Sequence, residues 1–223
     1  MFKYCLFDLD GTLTDPKEGI TKCVQYALQK FGINEPDLHK LEPFIGPPLK
    51  DSFMHFYSLS DADAVQAVSY FRERFAPTGI FENQIFSGIK EMLEKLSSKG
   101  IHLAVASSKP MIFVRKILAH FEIERFFQVV VGSELDGTRV SKEEVVEEAL
   151  SQLGVNKIAE NERKKLCAMI GDRKFDIEGA KAHGLTGIGV TFGYAEEGEL
   201  EKAGADFIVS SVDELSSLLN GEK

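Results

Sequence analysis

The chain has 223 residues, 43% of them hydrophobic and 27% charged, with a formal net charge of -9. That is enough for one large domain or a domain with an insertion, and no apolar run approaches the roughly 20 residues a membrane helix needs. The acidic balance and the absence of any lysine or arginine stripe exclude a nucleic-acid polymer as partner. Cys5, Cys23 and Cys167 are few, widely spaced and set in apolar stretches, so they read as reduced core residues, not a disulfide framework or a zinc site. The opening Met1-Phe2-Lys3-Tyr4 runs into a strand with no charged-then-apolar leader, which places the expected protein in the cytoplasm.

The first predicted strand, Lys3 to Phe7, ends in Asp8-Leu9-Asp10-Gly11-Thr12. Strand alternation would put Asp8 and Asp10 on one side, and a turn at Gly11 leaves backbone N–H groups free beside them. Two adjacent carboxylates need a cation, a proton or solvent, and a hard divalent ion such as Mg2+ is the most economical partner. A calcium-binding loop starting at Asp8 is excluded by Leu13 and Gly19, which stand where glycine and glutamate would be needed.

Ile20, Cys23, Val24, Ala27, Leu28 and Phe31 fall on one helix face that Gly32 closes. Further helices are expected around Leu49, Phe53 and Phe56, and around Ala64, Val68, Phe71 and Phe75, the last capped by Ser60 or Asp61 and closed before Pro77. No good strand lies between about Pro16 and Phe81, so residues 16–81 read as a helical domain inserted into a core made of 1–15 and 82–223. Inside the insert, Gly46-Pro47-Pro48-Leu49 is a rigid turn, either a helix connector or a loop reaching toward a site.

From Ser87 onward strand and helix alternate. Ser87 is expected to cap a helix bearing Ile89, Met92, Leu93 and Leu96; strand His102–Ala106 then ends in Ser107-Ser108-Lys109-Pro110. A helix through Phe121 leads to strand Phe127–Gly132, and Ser141 with Glu144 forms a capping box for a helix with Val146, Ala149, Leu150 and Leu153. Strand Leu166–Ile170 closes with Gly171-Asp172-Arg173-Lys174-Phe175-Asp176. A short helix, strands Gly187–Val190 and Phe207–Val209, and a final helix complete the chain.

Such alternation implies an α/β fold, a doubly wound and mostly parallel sheet whose ligands bind at the carboxyl ends of the strands. Those ends carry Asp8 and Asp10, Ser107 and Ser108, and Asp172 and Asp176. Carboxylates gathered with a hydroxyl and a lysine suit metal-assisted phosphoryl transfer through an aspartyl phosphate.

Asp8-Leu9-Asp10-Gly11-Thr12, Ser107 after an apolar strand, a lysine, and Gly171-Asp172 with Asp176 resemble the four motifs of the haloacid dehalogenase superfamily over nearly the whole chain. The resemblance implies a Rossmann-like core with a helical cap inserted after the first motif. It also implies roles: Asp8 as nucleophile, Asp10 as general acid and base, Ser107 and a lysine on the phosphate with Ser108 beside them, and Mg2+ held by Asp8, the Asp10 carbonyl and Asp172, with Asp176 direct or through water. Lys142 stands where the family places its lysine, although Glu143 follows where proline is frequent; Lys109, directly after Ser107-Ser108, is its rival. Within the superfamily the cap and the Gly-Pro-Pro turn resemble phosphoglycolate phosphatases and nucleotidase-like relatives. The expected activity is therefore Mg2+-dependent hydrolysis of a small phosphorylated metabolite, phosphoglycolate or a nucleoside monophosphate first. The alternatives are a phosphomutase resembling β-phosphoglucomutase and a non-hydrolytic phosphoacceptor module, the latter disfavoured by the helical insert.

Overall fold

The computed structural model describes residues 2–222. Strand β1 (Tyr4–Phe7) and the two-residue strand β2 (Thr14–Asp15) precede helices α1 (Lys17–Lys30), α2 (Leu49–Tyr57) and α3 (Asp61–Phe75). The short β3 (Gln84–Ile85) pairs with β2. Then come α4 (Ile89–Ser98), β4 (His102–Pro110), α5 (Met111–His120), β5 (Val129–Ser133), α6 (Lys142–Gln152), α7 (Glu160–Leu166), β6 (Cys167–Gly171) and α8 (Lys174–Ala182). The chain closes with β7 (Thr186–Val190), α9 (Glu199–Ala203), β8 (Phe207–Val209) and α10 (Val212–Asn220). Two compact units result, one of residues up to Thr14 and from Ile85 onward, the other of Asp15–Gln84.

The larger unit is a six-stranded sheet in the order β5-β4-β1-β6-β7-β8 with every neighbouring pair parallel. Helices α6 and α8 pack together on one face, where Leu6, Ala104, Val131, Val146, Met169 and Ala180 join one continuous core. Residues of the opposite alternation, Cys5, Phe7, Val105 and Ile170, are equally buried, so both faces of the sheet are covered, as a parallel sheet requires. Phe7 is level with Val105 on one side and Ile170 on the other, so Asp8, Ser107 and Asp172 emerge at one edge. The chain order reverses about β1: β4 and β5 lie to one side, and β6, β7 and β8 to the other. Such a switch point opens a crevice at the strand ends.

Several elements differ from the sequence reading. Ser87 does not cap α4; Gly88 does, at a φ of 86° that turns the chain into the helix without a side-chain bond. β4 continues past Ala106 to Pro110 with a register shift between those residues, and β5 begins at Val129 because Glu124–Phe126 wind into a 3-10 turn. Leu153 is only partly buried, and the apolar face of α6 is completed by Val145. Three pieces carry no strong periodicity and are not expected from the sequence: α7, α9 and a 3-10 helix at Leu38–Phe44. The three cysteines are buried and form no disulfide; burial pushes the Cys5 thiol up and the Cys167 thiol up to about 11.

In the smaller unit α1 packs on α3 and on the 3-10 turns at Leu38–Phe44 and Gly79–Phe81, with Phe44 against Phe53 and Phe71 against Phe75. Gly46-Pro47-Pro48 connects the Leu38–Phe44 turn to α2. Arg74 holds Glu82 through two hydrogen bonds of 2.7 and 3.0 Å, joined by Lys22 at 3.2 Å. Among the described residues no helix is long and apolar enough to cross a membrane.

Candidate active site

β1 ends at Phe7, and the residues after it coil around one carbonyl. The Leu9 oxygen accepts the N–H groups of Thr12, Leu13 and Thr14 at 3.3, 2.9 and 3.0 Å, and the Gly11 N–H returns to the Thr14 carbonyl at 2.7 Å. Gly11 sits at a φ of 82°, and a Cβ there would overlap the Asp172 carboxylate, so the turn requires glycine for backbone angle and for space. The coil, not strand alternation, sets the positions of Asp8 and Asp10. Asp8 Oδ1 accepts the Leu9 N–H at 2.7 Å.

The two lysines divide between the two aspartates. Lys142, the first residue of α6 behind the Ser141–Glu144 capping box, reaches Asp8 Oδ1 at 2.9 Å and Asp176 Oδ1 at 2.8 Å, and donates to the Ala106 carbonyl at 3.1 Å. Its stem runs beside Gly179, where a Cβ would lie 3.0 Å from Lys142 Cγ. Burial alone would drive this ammonium toward its neutral form, but Asp176 and Asp8 outweigh it and hold the charge above the ordinary lysine range. Lys109 instead ion-pairs with Oδ2 of Asp10. Burial pushes the Asp10 carboxyl up, against the pull of Lys109.

Ser107 is buried, and its Oγ accepts the Lys109 N–H at 3.4 Å; it does not cap a helix, since α5 begins after Pro110. Ser108 contributes its carbonyl to Ser133 Oγ at 2.7 Å.

Asp172 follows β6 and takes the Tyr194 N–H on Oδ2 at 2.8 Å, leaving Oδ1 buried without a hydrogen bond. Asp176, on the first turn of α8, takes the Arg173 N–H on Oδ2 at 3.0 Å and turns Oδ1 to Lys142. It thus joins the cluster and ties down the start of its own helix. Burial, then Asp176 and Asp8, push the Asp172 carboxyl well up; burial also raises Asp176, with Lys142 opposing.

Asp8, Asp172 and Asp176 bring carboxylate oxygens within 4.8 Å of one another. Once ionised, three carboxylates against one ammonium leave two negative charges, which one divalent cation would balance, and Asp172 Oδ1 is buried with no hydrogen-bond donor. An all-oxygen, buried and hydrogen-bonded donor set suits a hard ion such as Mg2+. The residues therefore fit the metal.

Sequence reasoning missed the supports from the β7 exit. Gly193 passes so close that a Cβ would overlap the Gly11 carbonyl and Asp172, and the next N–H, of Tyr194, holds Asp172. Glu199 anchors the neighbouring turn, accepting from Arg173 Nε at 3.0 Å, Lys174 N at 2.8 Å and Glu196 N at 3.0 Å. A glycine just past a predicted strand is the one signal that points to this loop.

Residues 5–190 match the profile of the haloacid dehalogenase-like hydrolases. Over 195 residues the chain is 52% identical to a 5'-nucleotidase of Pseudomonas aeruginosa, covering 87% of this chain and 85% of that protein. It is 34% identical over 216 residues to the tyrosine-protein kinase PtkA of Mycobacterium tuberculosis, covering 96% of this chain and 71% of that one. The crystal structure of a predicted phosphatase from Clostridium acetobutylicum superposes with a TM-score of 0.92 at 45% identity, over 99% of each chain.

Proposed function

The chain belongs to the haloacid dehalogenase-like hydrolases, and on that premise we propose that it is a Mg2+-dependent phosphomonoesterase working through an aspartyl phosphate on Asp8. The observation that carries this reading is the buried meeting of Asp8, Asp172 and Asp176 around Lys142, with Asp10 tied to a different lysine. A carboxylate nucleophile and a separate carboxyl two residues on are the two groups that stepwise phosphoryl transfer needs.

In the first step a carboxylate oxygen of Asp8 bonds to phosphorus while the bond from phosphorus to the leaving oxygen breaks. The electron pair stays on that oxygen, which takes the proton of Asp10. In the second, Asp10 takes a proton from a water that attacks the same phosphorus, releasing phosphate and regenerating Asp8. Ser107, and Ser108 after it, are assigned to the non-bridging phosphate oxygens, and Lys142 to holding Asp8 and the charge beside it. Mg2+ would be held by Asp8, Asp172, Asp176 and the Asp10 carbonyl, and when bound supplies charge neutralisation at the phosphoryl group.

The likeness to a 5'-nucleotidase favours a nucleoside monophosphate as substrate, ahead of phosphoglycolate. Choice among such substrates is assigned to the inserted helical unit. The test is phosphate release from nucleoside monophosphates, 2-phosphoglycolate and hexose phosphates, with Mg2+ and with a chelator, and with Asp8→Asn as control. Metal-dependent release, strongest from nucleoside monophosphates and absent in Asp8→Asn, is expected; turnover by Asp8→Asn at the wild-type rate would overturn the mechanism. A second reading, transfer of the phosphoryl group to a tyrosine hydroxyl instead of water, is favoured by the likeness to PtkA. Labelled ATP with a tyrosine peptide distinguishes it.

A further inference from the structure

The proposed chemistry leaves Lys109 without a task, yet its surroundings are built to place it. β4 shifts register between Ala106 and Pro110, an irregularity of the kind that re-aims side chains at a strand end. The shifted stretch is held from three directions. The Lys109 N–H donates to Ser107 Oγ at 3.4 Å, and Ser133 Oγ donates to the Ser108 carbonyl at 2.7 Å. Gly132 completes the cradle, since a Cβ there would lie 2.7 Å from the Lys109 carbonyl and from the Met111 backbone. The side chain so placed is 8% exposed and meets Oδ2 of Asp10, while Oδ1 of Asp10 is buried with no hydrogen-bond partner. Lys142 cannot substitute, because Asp8, Asp176 and the Ala106 carbonyl already occupy it.

We propose that Lys109 is a positioning residue for Asp10: it clamps Oδ2, so that Oδ1 is the oxygen presented to the leaving group, and it balances the carboxylate left when the proton has gone. The inference rests on the phosphomonoesterase reading and assigns Lys109 to the leaving-group side of the reaction, not to the transferred phosphoryl group.

Leaving-group dependence separates the two assignments. A nucleoside 5'-monophosphate expels a poor alkoxide that needs a proton, whereas p-nitrophenyl phosphate expels a stable phenolate that scarcely does. Lys109→Met keeps the apolar stem and removes the ammonium. The quantity to measure is kcat/KM for the nucleotide divided by kcat/KM for the aryl ester, a ratio in which the fraction of folded enzyme cancels. It should fall by about tenfold or more, a part of the roughly 10²–10⁴-fold that general-acid catalysis contributes, with the loss in kcat and not in KM. An unchanged ratio overturns the inference, whether the two rates fall together, which would put Lys109 on the phosphoryl group, or neither falls. If Lys109→Met does not fold, Lys109→Gln, which keeps a donor for Asp10, is read the same way, with a smaller drop expected and an unchanged ratio again fatal. Wild-type protein inert toward both esters in Mg2+ would instead overturn the phosphomonoesterase reading itself.

Discussion

Lys142→Met removes the ammonium that lies 2.9 Å from Asp8 and 2.8 Å from Asp176, while keeping most of the stem beside Gly179. Three buried carboxylates then face one another with no cation. Breaking a buried pair from one side costs about 3–5 kcal/mol. At about 2–4 °C per kcal/mol for a chain of this size, Tm measured in chelator should drop by roughly 6–20 °C. The pH dependence has a defined sign. Burial raises the folded pKa of Asp172 and of Asp176, the latter against Lys142, so protonation favours the folded state and stability is lost as pH rises through the folded values. Without Lys142 the largest opposition to the rise of Asp176 is gone and only the Arg173 N–H remains against it, so the gap between variant and wild type should widen as pH rises from the unfolded aspartate value of about 3.9 through the folded one. Mg2+ should narrow it, because an ion that binds only the folded state stabilises that state by mass action. Scanning calorimetry across pH, in chelator and in Mg2+, measures each part. A variant that melts with the wild type in chelator at the alkaline end would refute the charge argument.

Gly193→Ala should lower stability by about 1–3 kcal/mol, as overpacking does, and weaken Mg2+ binding in a calorimetric titration, because the added methyl collides with the Gly11 carbonyl and Asp172; wild-type melting and affinity would contradict this. In the inserted unit, hydrogen bonds from Arg74 hold the Glu82 carboxyl below its ordinary range, against burial and with help from Lys22. A depressed carboxylate stabilises above its unfolded pKa of about 4.3 and loses that contribution as pH falls through the folded value. Arg74→Met should therefore cost about 1 kcal/mol near neutrality and progressively less in acid, measured by urea unfolding at several pH values. A gap that does not change with pH would count against the pair.

The carboxylates are legible in the sequence because each follows a strand, and a parallel sheet collects strand ends at one edge however far apart they stand along the chain. Lys142 is legible through the family resemblance, with the Ser141–Glu144 box marking only the start of its helix. Its grip on Asp176 is not, since that depends on α6 packing against α8. Lys109 and Asp10 are 99 positions apart, and their pairing depends on a register shift that hydrophobic periodicity does not encode. Tyr194 and Gly193 act through a backbone N–H and through missing volume. Neither has a side-chain pattern to find. Ser87 misleads for a related reason: a serine ahead of an apolar run suggests a cap, but the positive φ of Gly88 already makes the turn.

Central to the proposed mechanism is that Asp8 carries the phosphoryl group and Asp10 serves both halves of the reaction. Asp10→Asn, mixed with p-nitrophenyl phosphate and Mg2+ and quenched in acid, isolates that claim, because the activated ester can still phosphorylate Asp8 while hydrolysis lacks its base. Mass spectrometry of the digest should find one phosphoryl group on the peptide containing Asp8, together with a burst of one phenolate per enzyme. Phenolate released steadily, with Asp8 unmodified at every quench time, would contradict it.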